Sequence, residues 1–145
     1  MITVQFPEPQ FKLKKEGEKR FVFDFIRKTW LLLTEEEWVR QNFVAYLVKT
    51  LRYPETLIAL EKEIVLNGLK KRFDILVYDK NHQPWMLVEC KAPDVLLSED
   101  VLQQALRYNI TVPVQFIVIT NGNATVAWEK KDEGLNLIYS LPELS

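Results

Sequence analysis

Three β-like runs joined by short turns occupy the middle of the chain and constrain its fold more than any other feature. They are "LIALEKEIVL" (57–66), "KRFDILVYD" (71–79) and "WMLVECKA" (85–92), separated by an Asn67–Gly68 turn and by "KNHQP" (80–84). Asn-Gly between such runs is a strong hairpin signal. The three runs therefore predict a meander, with residues 57–60 open to being a turn or the end of a helix. Side chains alternate faces along a strand, so the pattern also restricts which residues can meet. The second and third runs are apolar enough to be buried, yet they carry Asp74, Glu89 and Lys91. Such residues are seldom fully buried without a partner.

The elements around the meander are read from caps and periodicity. "TEEEWVRQNFVAYLVKTLR" (34–52) predicts a helix. Thr34 is the N-cap and Glu37 completes a capping box. Trp38, Phe43, Val44, Leu47, Val48 and Leu51 supply its apolar stripe, and Pro54 lies past its end. "SEDVLQQALRYNI" (98–110) predicts a second helix, capped by Ser98 and acidic in its first turn. "QFIVIT" (115–120) and "TVAWEKK" (125–131) predict strands either side of the turn "NGN" (121–123). Near the start, residues 11–33 alternate around "KEGEK", a β-hairpin signal with Gly17 at the turn. The tail, "DEGLNLIYSLPELS" (132–145), is weakly specified. The order β-β-α-β-β-β-α-β-β predicts an α/β (α+β) protein, a mixed sheet with helices on its faces. With no linker or repeat, residues 1–145 read as a single domain.

The bulk properties remove several classes of function. Nineteen Lys and Arg against twenty Asp and Glu give a net charge of −1, unlike a dedicated nucleic-acid coat protein. A DNA partner would have to be held by local basic patches. The one cysteine, Cys90, excludes an intrachain disulfide and fits a reducing, cytoplasmic setting. The N-terminus lacks a signal-peptide pattern, and no apolar run is long enough for a membrane span. His82 is the sole histidine, which excludes a His-rich zinc site.

The chemistry rests on the charged residues of the meander. Glu89 and Lys91 are two apart and share a face, while Cys90 points the other way, toward the core. Pairing through "KNHQP" can set Asp74 beside Glu89. Two adjacent half-buried carboxylates repel each other and are costly to desolvate, and a divalent cation resolves both costs. Magnesium, or manganese in its place, takes one or two carboxylates and keeps waters and phosphate oxygens as its other ligands. Lys91 would steady the developing oxyanion of a phosphodiester under attack. The plainer alternative for Glu-x-Lys on a strand is a cross-strand salt bridge.

Asp74, fourteen intervening residues and then Glu89-Cys90-Lys91 resemble the PD-(D/E)xK nuclease motif. The wider text, from "TEEEWVRQNFVAYLVKTLR" through "GLKKRFDILVYD" and "WMLVECKAP" to "LQQALRYN" and "FIVITNG", resembles the N-terminal nuclease domain of type I restriction enzyme R subunits, in particular its small stand-alone bacterial form. The likeness runs over roughly residues 25–130. It implies a restriction-endonuclease-like fold and magnesium-dependent DNA cleavage. Asp74 and Glu89 match the family's metal-binding carboxylates, Lys91 its catalytic lysine, and the Cys90 main-chain carbonyl a further metal ligand. Glu37 matches an acidic residue at the start of the first helix that completes the site through a water. Gln104 and Tyr108 match the Q-x-x-x-Y motif, and their spacing puts them on one helix face. Phe73 stands where the motif has proline. No G-x-x-x-x-G-K-[ST] sequence occurs, so neither ATP nor a translocating motor is expected of this chain.

Residues 12–28 hold seven basic side chains (Lys12, Lys14, Lys15, Lys19, Arg20, Arg27, Lys28) and three acidic ones (Glu16, Glu18, Asp24), a local excess of four positive charges. Lys14, Lys15, Lys19 and Arg20 there, with Lys70, Lys71 and Arg72, are candidate phosphate contacts. The alternative is a solvated face. Arg40 and Gln41 can pair with the site carboxylates or with Glu63, and the sequence does not choose. DNA is the expected partner, and a homodimer, which would cut both strands, is left open. Two other readings stand beside the nuclease: a non-catalytic DNA- or protein-binding module that kept the fold, and an enzyme acting on RNA or on branched or damaged DNA.

Overall fold

The computed structural model describes residues 1–132 and 134–144. Strands β1 (Leu13–Glu16), β2 (Lys19–Asp24) and β3 (Thr29–Leu32) form a small antiparallel sheet. Helix α1 (Glu35–Ala45) follows, running into a π-helical turn (Tyr46–Thr50) and then a 3-10 turn (Glu55–Leu57). Next come β4 (Ile58–Leu66), β5 (Leu69–Tyr78), β6 (Pro84–Cys90), α2 (Glu99–Asn109), β7 (Phe116–Thr120), β8 (Thr125–Lys131) and β9 (Gly134–Ile138). Strands β4 to β9 form one six-stranded sheet in sequence order. Its pairs are antiparallel except β6 with β7, which are parallel. A parallel pair needs a crossover connection, and α2 supplies it. The expected mixed sheet flanked by helices is borne out, and so is the central meander.

Three local expectations are corrected. The N-terminal hairpin is a three-stranded sheet. Asp24 Oδ1 accepts the backbone N–H groups of Ile26 (2.8 Å) and Arg27 (3.0 Å), so the side chain itself makes the second turn. The first helix leaves α geometry at Tyr46, where the Leu51 N–H reaches back to the Tyr46 carbonyl at 3.1 Å. The tail holds an edge strand, β9, in register with β8 through Trp128↔Leu137. Its own pattern is weak because pairing to an existing ladder, rather than burial, defines it.

Two cores lie on opposite faces of the large sheet. Val39 and Phe43 of α1 and Leu47 of the π-helical turn pack on Ile75, Val77, Met86, Val88 and Cys90. Ala105 of α2 packs with Phe73, Leu76, Leu87, Ile117 and Ile119 on the other face. The small sheet covers the outer side of α1: Val22 and Asp24 are fully buried, and Phe11 meets Trp38 edge to face at 5.4 Å. Enclosed on both sides, α1 buries Glu37, Arg40, Gln41 and Asn42 as well as its apolar residues. That is why its stripe is broader than the one read from periodicity.

Two interruptions in hydrogen bonding flank Asp74. The β4–β5 register runs from Ile58↔Val77 to Leu66↔Leu69 but skips the step that would pair Glu61 with Asp74. Glu61 there has a left-handed φ of +52°. On the other side, β5–β6 pairing ends at Ile75↔Val88, one step short of Asp74 and Glu89.

Candidate active site

With the ladder open around it, Asp74 turns its side chain to the backbone that β6 leaves free. Its Oδ2 accepts the Cys90 N–H at 2.8 Å. Beyond the end of β6, the Lys91 N–H donates to the Thr120 carbonyl at 2.8 Å, which keeps that segment on the edge of β7. Glu89 and Lys91 project on the α2 side, and Lys91 Nζ lies 3.0 Å from Glu89 Oε2. From α2, the Asn109 side-chain amide donates to Glu89 Oε1 (3.2 Å) and to the Ala105 carbonyl (2.9 Å). An open cavity of about 390 Å³ results, lined by Asp74, Glu89, Cys90 and Lys91 from the sheet and by Gln104 and Tyr108 from α2. Six of the residues singled out from the sequence are thus brought together.

The Cys90 side chain itself lies in the core on the α1 face. Burial, reinforced by Asp74, pushes its thiol pKa well above the usual value. A thiol so placed is not a nucleophile; what Cys90 offers the cavity is its main chain.

Behind Asp74 stands a buried charge network that the sequence left undecided. Arg40, only 5% exposed, places Nη2 2.9 Å from Asp74 Oδ1 and 2.7 Å from Glu61 Oε1, and Nη1 2.5 Å from Glu37 Oε1. Glu63 takes no part in it; its ion pair is with Lys70. Burial alone would lower the guanidinium pKa, but Glu37, Asp74 and Glu61 outweigh that and raise it. Arg40 is therefore a fixed cation that holds Asp74 from one side.

Glu37 does not line the cavity. Its N–H is capped by Thr34 Oγ1 at 3.0 Å, and its carboxylate is held by Arg27, Arg40 and Gln41. Its neighbour Glu36 is the α1 carboxylate that feels the site. Burial and Asp74 raise its pKa, while Arg40 and Lys91 oppose them. Folding thus favours the protonated acid, so stability falls as pH rises through the carboxylate range. Glu36→Gln is expected to stabilise the protein at pH 7. The gain stays below about 1 kcal/mol, because the side chain is half exposed and screened. It should shrink as pH falls through the folded-state pKa and vanish below the usual value of 4.5. Urea titrations at neutral and acid pH read this directly.

The seven candidate phosphate contacts lie in two separate sheets. Lys14, Lys15, Lys19 and Arg20 are on the small one, where Lys14 pairs with Glu16 at 3.1 Å. Lys70, Lys71 and Arg72 are on β5 near the tip of the β4–β5 hairpin. Arg72 Nε pairs with Glu61 at 2.9 Å, and Lys71 Nζ donates to the Tyr108 carbonyl at 2.6 Å. Asn109, Glu36 and Glu61 were missed by sequence reasoning. Asn109 had a signal: it sits four residues after Ala105, on the helix face that carries the buried Ala105.

Residues 35–142 match the family described as the type I restriction enzyme R protein N terminus (HSDR_N). No curated protein matches the chain. Among solved structures it is similar to a protein from Anabaena variabilis ATCC 29413, described as a candidate nuclease belonging to DUF820. That likeness has 11% identity and a TM-score of 0.49, and covers 88% of this chain and 80% of the other. The family match spans well over half of the sequence and takes in every residue lining the cavity between the sheet and α2, in agreement with the resemblance read from Asp74, Glu89 and Lys91. The chain belongs to the type I restriction enzyme R protein N-terminal (HSDR_N) family.

Proposed function

We propose that the protein is a magnesium-dependent deoxyribonuclease that hydrolyses DNA phosphodiester bonds at the cavity between β5, β6 and α2. The observation that carries this reading is the convergence of Asp74, Glu89 and Lys91 on one open cavity that Gln104 and Tyr108 also line. No three His, Cys, Asp or Glu side chains cluster as a metal cage among the described residues. A hard cation that needs only one or two carboxylates, with waters and phosphate oxygens completing its shell, suits the donor set that is present. Asp74, Glu89 and the Cys90 carbonyl would hold it. When bound, it supplies charge for the phosphoryl oxygens and lowers the pKa of a coordinated water.

The chain's own groups do the rest. Lys91 Nζ, held 3.0 Å from Glu89, is a donor positioned for the charge that develops on the phosphoryl group. Asn109 fixes the orientation of Glu89, and Arg40 that of Asp74, so neither carboxylate has to be ordered when the substrate arrives. Gln104 and Tyr108 offer polar contacts on the opposite wall. The test is nicking of supercoiled plasmid by the full chain. Nicking is expected with magnesium and is expected to cease in EDTA. DNA binding without nicking under any divalent metal would instead mark a binding module that has kept the fold.

A further inference from the structure

The outer face of the small sheet takes no part in supporting the cavity, and its strands precede the residues that match the family. The registers Lys14↔Phe21, Phe21↔Leu32 and Phe23↔Trp30 put these side chains on one face. Val22 and Asp24, on the opposite face, are fully buried against the rest of the protein. The outward rings form a series. Phe25 and Phe23 meet edge to face at 5.1 Å, and Phe23 and Trp30 at 5.3 Å. Phe25 is 48% exposed and Trp30 37%. Cations are interleaved with the rings. Lys14 Nζ lies 4.6 Å from the Trp30 centroid, and Lys12 Nζ lies 5.8 Å from those of both Phe23 and Phe25.

This combination selects its occupant. An apolar protein surface docked here would bury the ammonium of Lys12, which has no ion-pair partner among the described residues, along with the Lys14–Glu16 pair, at a high cost. A lone polyanion would leave the rings unused. A strand of unpaired nucleotides meets both demands, since every base has a face that stacks on an aromatic ring and every phosphate pairs with a cation. On this face Lys12, Lys14 and Lys19 stand against Glu16, an excess of the matching sign.

We propose that this face is a binding platform for single-stranded DNA, with bases stacking on Trp30 and Phe25 and phosphates meeting Lys12 and Lys14. The choice of DNA rests on the nuclease reading above. The platform would hold an unpaired stretch of the strand while duplex or strand is presented to the cavity.

The test uses the full-length Lys91→Ala protein in EDTA, so that binding is read without cleavage. Oligo(dT) is titrated while tryptophan fluorescence is followed. Trp30 is exposed, Trp38 is half-buried against Phe11, and Trp85 and Trp128 are buried, so stacking on the platform is reported by the quenching that the Trp30→Phe protein lacks. Saturable quenching that weakens with added salt is expected. Trp30→Ala and Phe25→Ala should each reduce affinity roughly tenfold or more. Trp30→Phe, which keeps a ring, should stay within a few-fold of the parent in a gel-shift assay. Lys12→Gln, at an exposed position, should lower the salt dependence. The proposal is overturned by any of three results: no binding at low salt, a Trp30→Ala protein that binds as its parent does, or preference for oligo(U) RNA or duplex DNA over oligo(dT). A protein that binds oligo(dT) yet nicks no plasmid defeats the nuclease reading and keeps the platform. One that nicks plasmid and ignores oligo(dT) does the reverse.

Discussion

Lys91→Ala is expected to slow magnesium-dependent DNA cleavage by about 10²–10³-fold or more, the usual loss when a single donor to a developing oxyanion is removed. The same protein should stay folded and still bind DNA. Lys91 lies beyond the end of β6, is 35% exposed on its side chain, and among the described residues makes one ion pair, with Glu89. An ion pair that open to solvent contributes no more than about 1 kcal/mol to stability, so lost cleavage cannot be ascribed to unfolding. Lys91→Arg keeps the charge but replaces a compact ammonium by a planar fork, and should recover only part of the rate. The decisive measurement is plasmid nicking at saturating magnesium, with circular dichroism and a metal-free gel shift on the same preparations. Equal cleavage by wild type and Lys91→Ala would remove the lysine from the reaction and with it the motif-based mechanism.

Arg40→Ala should act on the fold rather than on a single step, costing about 3–5 kcal/mol of stability, as expected when one member of a buried ion pair is deleted. The guanidinium holds Glu37, Asp74 and Glu61 at once, and the Glu37 side chain is almost as buried as its own. Deletion leaves Glu37 to Arg27 and Gln41, whose contacts are longer, at 3.3 and 3.0 Å. A double-mutant cycle with Glu37→Ala should show coupling on the order of 1 kcal/mol or more, read from urea denaturation. Additive losses would mean that the two groups do not interact appreciably in solution. Arg40 Nε has no partner among the described residues. The network is thus not one of perfect satisfaction, which suits a role in aiming Asp74 more than one in maximising stability.

The candidate site was more legible in the sequence than its supports. Asp74, Glu89 and Lys91 stood out because charge is unexpected in an apolar strand, and alternation showed which two of them share a face. Gln104 and Tyr108 followed from helical spacing and the family resemblance. The choice of partner for Arg40, left undecided, and the parts played by Glu61 and Asn109 were hidden for a common reason. Their roles depend on pairings between elements distant in sequence: Arg40 meets Asp74 across thirty-four positions and Asn109 meets Glu89 across twenty. Alternation within one strand or periodicity within one helix carries no record of such contacts. The fold shows the same division. Strands with their own pattern, such as β7, were legible. β3 and β9 were not, because a side-chain turn at Asp24 creates the first and a neighbour's ladder recruits the second.

The left-handed kink at Glu61 has a consequence beyond the cavity. β4 is one of the two outermost strands of the large sheet, and an outermost strand with a free backbone is a template on which other chains can aggregate. A foreign strand zipping along β4 from Ile58 would meet, three residues on, a backbone that turns out of the pleat. Charged Lys62 and Glu63 stand directly behind it. Natural proteins use such bends and charges to make an open border unusable. The irregularity that frees Asp74 from its ladder thereby also guards the β4 border against self-association.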